Sequence, residues 1–177
     1  MISKFDWENW LEKEELCRNS FQNYIDKGLI KIETEKENLS KSHMSKANYN
    51  LDFINFLLNN KKFYDWVIIG CYYAIYRASL SLITKKGFSS KKHNSTICAL
   101  IKIYYHDKKK INREDVELVA KSSLSKEEVG YFVQAKEKRE TASYGISEEF
   151  AKIEAEKLNK DTIKFLNKVK EIIERDN

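Results

Sequence analysis

The sequence predicts an all-α fold, an antiparallel bundle of five or six helices. Three observations predict it. The 177 residues include no proline and only five glycines, whereas an all-β fold needs turn residues in quantity. Apolar residues recur near the 3.6-residue helical period in one segment after another. The breaks between those segments carry helix-end signals: acidic residues where a helix starts, glycine where one stops. A content of 42% hydrophobic and 33% charged residues is that of a globular chain rather than a disordered one. The length suits one domain with a sizeable core.

Residues 1–25 hold Phe5, Trp7, Trp10, Leu11 and Leu16 among charges and read as an N-terminal amphipathic helix. They are set apart from a bundle over 26–177. "DKGLIKIETEKENLS" (26–40) reads as a connector broken at Gly28, with "LIKIE" crossing a groove in extended form. A helix is expected from about Ser40 to Leu58, its apolar positions Leu51, Ile54, Phe56 and Leu57. The next, about 62–85, is the most apolar, and Gly87 suits the left-handed position just past its end. Within it Ile69, Tyr73, Tyr76, Leu80 and Ile83 form one stripe, and Gly70, Ala74, Ala78 and Ser81 a neighbouring stripe of small residues. Small residues allow a second helix to approach closely.

Residues 88–110 predict a helix with Ile97, Leu100, Ile101 and Tyr104 on its buried side. A shorter one follows from Asn112, with Glu114 and Asp115 in its first turn. Ser125 caps another, with Val129, Phe132 and Val133 facing inward, that reaches Tyr144 and stops at Gly145. The last begins near Ser147 and runs through Ile153, Leu158, Ile163, Leu166, Val169 and Ile172. No internal repeat or low-complexity segment interrupts the chain.

Thirty-two basic and 27 acidic residues leave a formal charge of +5. Lysines cluster at predicted helix ends, a rim that can attract phosphates or merely solvate a surface. The three cysteines, Cys17, Cys71 and Cys98, form no C-x-x-C pair. Together with an N-terminus that has no apolar signal core, this leads us to expect a reducing, cytoplasmic location. "WVIIGCYYAIYRASLSLI" (66–83) approaches membrane-spanning length but carries Arg77, three tyrosines and two serines. It reads as the central helix of a bundle, with no membrane partner. No H-E-x-x-H and no Cys/His cluster suggests a metal, and no glycine-rich phosphate loop is present. No cofactor is expected, and a nucleotide would be held by side chains.

Three segments carry a family resemblance: "GCYYAIYRASLSLI", "KKHNSTICALIKIYY" and "KRETASYGISEEFAKIEAE". In order and spacing they resemble the HEPN families, where a Tyr-Tyr-Ala-aromatic core, a Lys-His or Ser-His opening and an Arg-Glu-x-Ala-x-Tyr-Gly recur. "KGLIKIE" is similar to the lead-in of an uncharacterised archaeal and bacterial branch. The resemblance spans about residues 26–175 and leaves out the Trp-rich N-terminus. It implies a helical bundle that usually dimerises, with a polar cleft at the dimer interface for nucleotide or RNA. It also implies ribonuclease activity in many members, which are often toxins paired with a minimal nucleotidyltransferase.

The family's site is an arginine followed after four to six residues by a histidine. Arg139 matches the arginine, but Tyr144 stands at the histidine place, and Ser143 where the closest branch often has aspartate. Attack by a 2′-hydroxyl needs a group that moves protons near neutral pH. Histidine titrates near about 6.5 and tyrosine near about 10, so Tyr144 would need a shift of several units. Arg139 still offers a planar donor fork for phosphate, and Tyr144 a ring to stack on a base or a hydroxyl to donate. The pair supports binding better than hydrolysis. In one regular helix the two side chains would point roughly 140° apart, so they converge only at a helix end or across two subunits.

His93, beside Lys91 and Lys92, is the best alternative base among the three histidines. Arg77 lies in so apolar a helix that it needs an acidic partner or an opening to the cleft. With Tyr73 and Lys92 it completes the candidate ligand contacts around Arg139 and Tyr144. Three functions stay open: a nucleotide- or RNA-binding homodimer beside a nucleotidyltransferase, a metal-independent ribonuclease using Arg139 with Tyr144 or His93, and an adaptor that engages a protein through Trp7 and Trp10.

Overall fold

The computed structural model describes residues 7–121 and 146–175. Among them the expected all-α architecture is present. The helices are α1 (Trp7–Glu12), α2 (Glu14–Asp26), α3 (Lys36–Asn59), α4 (Tyr64–Lys85), α5 (His93–Leu100), α6 (Arg113–Lys121) and α7 (Ile146–Arg175). The helix expected from Ser125 to Tyr144, with Arg139 in it, lies outside the described residues.

The antiparallel pair α3 and α4 forms the centre, with α7 laid along α4. Small residues set how closely α3 and α4 approach. Ser40 Oγ donates to the Ser81 carbonyl at 2.9 Å, and Ser81 Oγ donates back to the Ser40 carbonyl at 2.8 Å. A methyl group built on Gly70 would stand 2.8 Å from Ile54 Cγ1. One step further along the seam, Lys85 Nζ reaches both carboxylate oxygens of Glu37 at 2.9 and 2.8 Å. That ion pair and its charge-assisted bond hold the Glu37 carboxyl below its usual range.

α4 is apolar and long enough to cross a membrane, yet 78% of its most apolar window is buried in the fold. A helix that is apolar on most sides is a core helix when neighbours cover those sides. Its end follows the expected cap: Gly87 has φ +80 and donates its N–H to the Thr84 carbonyl at 2.8 Å.

Two expectations are corrected beyond α4. The helix predicted from residue 88 starts at His93, because Phe88–Ser90 (β2) pairs antiparallel with Ile30–Ile32 (β1), Lys31 opposite Ser89. The extended "LIKIE" thus finds its backbone partners in the serines assigned to a helix. After α5, Ile101–Asp107 continue as a π-helix. Its expected buried positions Ile97, Leu100, Ile101 and Tyr104 are all buried.

α1 and α2, from the N-terminal segment, join the same hydrophobic cluster as α4 and α5 through Trp10, Leu11, Cys17 and Phe21. Trp10 is 4% exposed, its Nε1 donating to Ser20 Oγ at 3.0 Å. It is therefore a core residue and not an exposed partner anchor. Cys17 and Cys98 are free, buried thiols, each donating to the other's carbonyl at 3.7 and 3.6 Å. Two helix positions expected inside are outside: Phe56 on α3 and Ile153 on α7 are 63% and 61% exposed.

Candidate functional site

Tyr73, Tyr76 and Arg77 lie within one turn of α4, and α5 begins beside them. The His93 ring stacks on the Tyr76 ring, centroids 5.0 Å apart with planes 24° from parallel. His93 Nε2 donates to the Val119 carbonyl on α6 at 3.2 Å. The imidazole thus pins α5 between α4 and α6. Burial pushes its pKa down to about 4, against the smaller opposing effect of the Val119 bond. The ring is neutral at pH 7, with Nε2–H spent on the backbone. A group titrating so far below neutrality is a weak proton acceptor at pH 7.

Lys92 occupies the position before α5 in extended conformation, its side chain exposed. Its carbonyl accepts hydroxyl bonds from Ser95 at 2.9 Å and Thr96 at 3.0 Å. The serine and threonine of "KKHNST" therefore stay in the helix, bonded back one turn.

Arg77 is half-buried, and its Nη1 lies 3.4 Å from His43 Nδ1 on α3. Burial first, and the guanidinium charge second, lower the His43 pKa. The neutral imidazole presents a lone pair to a permanent cation. This histidine had no recognisable partner pattern in the sequence, because its partner lies 34 residues away on another helix. Tyr73 is 40% exposed on the same face of α4 as Arg77. The structure therefore joins Tyr73 with Arg77, and Tyr76 with His93 and Lys92. Arg139 and Tyr144 lie outside the described residues.

A separate open groove of about 820 Å³ runs between α6 and α7, lined by Tyr72, Glu117, Lys121, Glu154 and Lys168 among others. Burial, then the nearby Glu154 charge, raises the Tyr72 pKa. Lys168 Nζ meets Asp115 Oδ2 at 2.5 Å across it. Acids and lysines alternate here, so the groove carries no single charge sign. Among the described residues no group of three His, Cys, Asp or Glu side chains is placed to hold a metal ion.

Comparison with known proteins adds two findings. The HEPN domain family matches residues 40–172. A protein of Methanocaldococcus jannaschii named "Putative toxin MJ0142" is 31% identical over 116 residues, 66% of this chain and 69% of its own. No solved structure significantly matches the chain.

Proposed function

The chain belongs to the HEPN domain family, and from that premise we propose that it is a toxin-like homodimer that binds nucleotide or RNA. Its cleft lies at the dimer interface, and a minimal nucleotidyltransferase is its partner. The observation that carries the reading is the family match over 40–172, a span within which positions 139 and 144 fall. The toxin name of the archaeal relative supports the paired system. Arg139 contacts phosphate with its guanidinium fork, and Tyr144 stacks on a base or donates its hydroxyl. Arg77, Tyr73 and Lys92 add cationic and aromatic contacts.

Binding is favoured over cleavage by the proton-transfer groups at hand. His93 is neutral and engaged with Val119, and a tyrosine titrates near about 10 in its ordinary state. The test is a titration of labelled RNA and nucleotides against wild type and Arg139→Ala. The variant is expected to bind at least about tenfold more weakly, the loss of one charged hydrogen-bonded contact. Equal affinities would remove Arg139 from the site. Incubating metal-free protein with single-stranded and structured RNA tests the ribonuclease reading, which the toxin relative keeps in view. Cleavage no greater than that of the Arg139→Ala protein ends it.

A further inference from the structure

Six large aromatic side chains stand in solvent on and around the α3–α4 hairpin. Tyr49, Phe53, Phe56, Phe63, Trp66 and Tyr73 are 66%, 42%, 63%, 63%, 52% and 40% exposed. Their spacing shows how they assemble. On α3, Tyr49, Phe53 and Phe56 are separated by four and three residues, which aligns them on one face. On α4, Trp66, Gly70, Tyr73 and Arg77 follow the same rule.

The two stripes meet at Gly70, whose missing methyl would lie 3.8 Å from Phe53 Cδ1. Other flanks of the two helices bury Ala47, Val67, Ala74 and Ala78 in the core. The rings therefore share one outer surface of the hairpin. Phe63 adds a ring at its tip, where it and Lys61 hold left-handed backbone with φ 59 and 51. Such conformations cost non-glycine residues about 1 kcal/mol or more and persist where the surroundings require them.

The area decides what this surface fits. Aromatic side chains present about 150–250 Å² each, so six of them, on average about half exposed, leave roughly 650 Å² of ring surface in water. The largest apolar patch on an ordinary monomer is about 300–600 Å². One side of a standard protein interface is about 800 Å². The rings alone approach that figure, before the Lys46 and Arg77 stems are added. Platforms that stack single-stranded RNA use rings for two or three bases, and three of the six here are phenylalanines with no polar edge. Nor are the neighbouring cations simply available to phosphate. Lys46 Nζ lies 4.9 Å from the Tyr49 ring centroid, and Arg77 reaches His43.

We infer that this outer face of the α3–α4 hairpin is where a second copy of the chain docks, the two hairpins packing face to face about a two-fold axis. The inference rests on the homodimer reading above and names its surface. A two-fold contact uses the same patch twice, so the rings of one copy cover those of the other. Tyr73 and Arg77 at one end of the patch then border the crease between subunits. Ligand contacts from both copies would meet there.

Sedimentation equilibrium of the full chain tests it, with wild type, Trp66→Glu and Phe56→Glu compared at micromolar concentration. Wild type is expected to be a dimer. Each variant is expected to dissociate at least about 100-fold more readily, because a carboxylate buried in an apolar contact has no partner. Far-UV circular dichroism should match wild type, both positions being exposed. Variants that remain dimeric overturn the surface while leaving the homodimer intact. A wild type that sediments as a monomer overturns both. Variants that stay dimeric but lose labelled single-stranded RNA identify a stacking platform and also overturn it. Should either variant misfold, hydrogen exchange of wild type against concentration decides. Protection of residues 49–73 that grows with concentration supports the contact, and unchanged exchange there refutes it.

Discussion

At the seam of the α3–α4 hairpin Ser40 and Ser81 exchange hydrogen bonds, and Gly70 sits against a fully buried Ile54. On the outer face of the same two helices Phe56 and Trp66 stand in water. The residue sizes run opposite to a simple expectation of large side chains inside. Two helix backbones can approach only where side chains are small, so the tightest contact belongs to glycine and serine. The large rings collect where, among the described residues, no element covers them. Burial follows the room that neighbours leave, as well as hydrophobicity.

The largest effect expected from breaking this contrast comes from Ile54→Ala. It should lower unfolding stability by about 3 kcal/mol in a denaturant melt, through lost transfer energy and a residual cavity. An effect below about 1 kcal/mol would mean the seam collapses freely. Acid should reveal a second, comparable effect on the flank of α4. The folded His93 pKa of about 4 lies below the unfolded value near 6.5, so the unfolded chain takes up the proton first. The stability that His93 contributes is therefore present above pH 6.5 and lost as pH falls toward 4, about 3 kcal/mol in all. Thermal melts of wild type and His93→Gln across that window should converge as pH drops. Parallel curves would contradict the buried, neutral ring.

Ser81→Ala should cost about 1–2 kcal/mol, because the Ser40 carbonyl loses the Ser81 hydroxyl as donor in a dry seam, while Ser40 Oγ keeps the Ser81 backbone carbonyl. Gly70→Ala sets a helix-propensity gain of about 1 kcal/mol against the contact with Ile54. Ile54 has no exposed side to yield toward, so a net loss of about 1 kcal/mol is expected. A stabilised variant would show the seam to be looser than its distances indicate. The smallest effect belongs to Phe56→Ala, two residues from Ile54. Unfolding at low protein concentration should change by no more than about 0.5 kcal/mol.

Much of the bundle was legible in the sequence, and for local reasons. Gly87 announced the end of α4, and Glu114 and Asp115 the first turn of α6, because caps and helix dipoles act within one turn. The apolar girth of α4 marked it as central. The HEPN resemblance, carried by three ordered motifs, is matched by the family over 40–172. Other features depended on distant partners. Ser89 and Ser90 looked like a helix start until β1, some sixty residues earlier in the chain, paired with them. Trp10 looked exposed among charges, yet its ring lies against the core and His106 Nε2 meets its carbonyl at 2.8 Å. Within the candidate site, Arg139 was named from its motif, and the bond from Arg77 to His43 had no sequence signature at all.

The sequence by itself determined which segments coil into helices, where several of them stop, and the family to which the chain belongs. Those properties rest on propensity, period and caps, which act over a few residues. Only the tertiary structure decided that Phe56 faces water, that Trp10 does not, and that His93 is a neutral ring clamped between Tyr76 and Val119. Periodicity gives each side chain an angle around its own helix. Which angles are covered depends on the approach of other helices, and that approach is set by packing across the whole bundle.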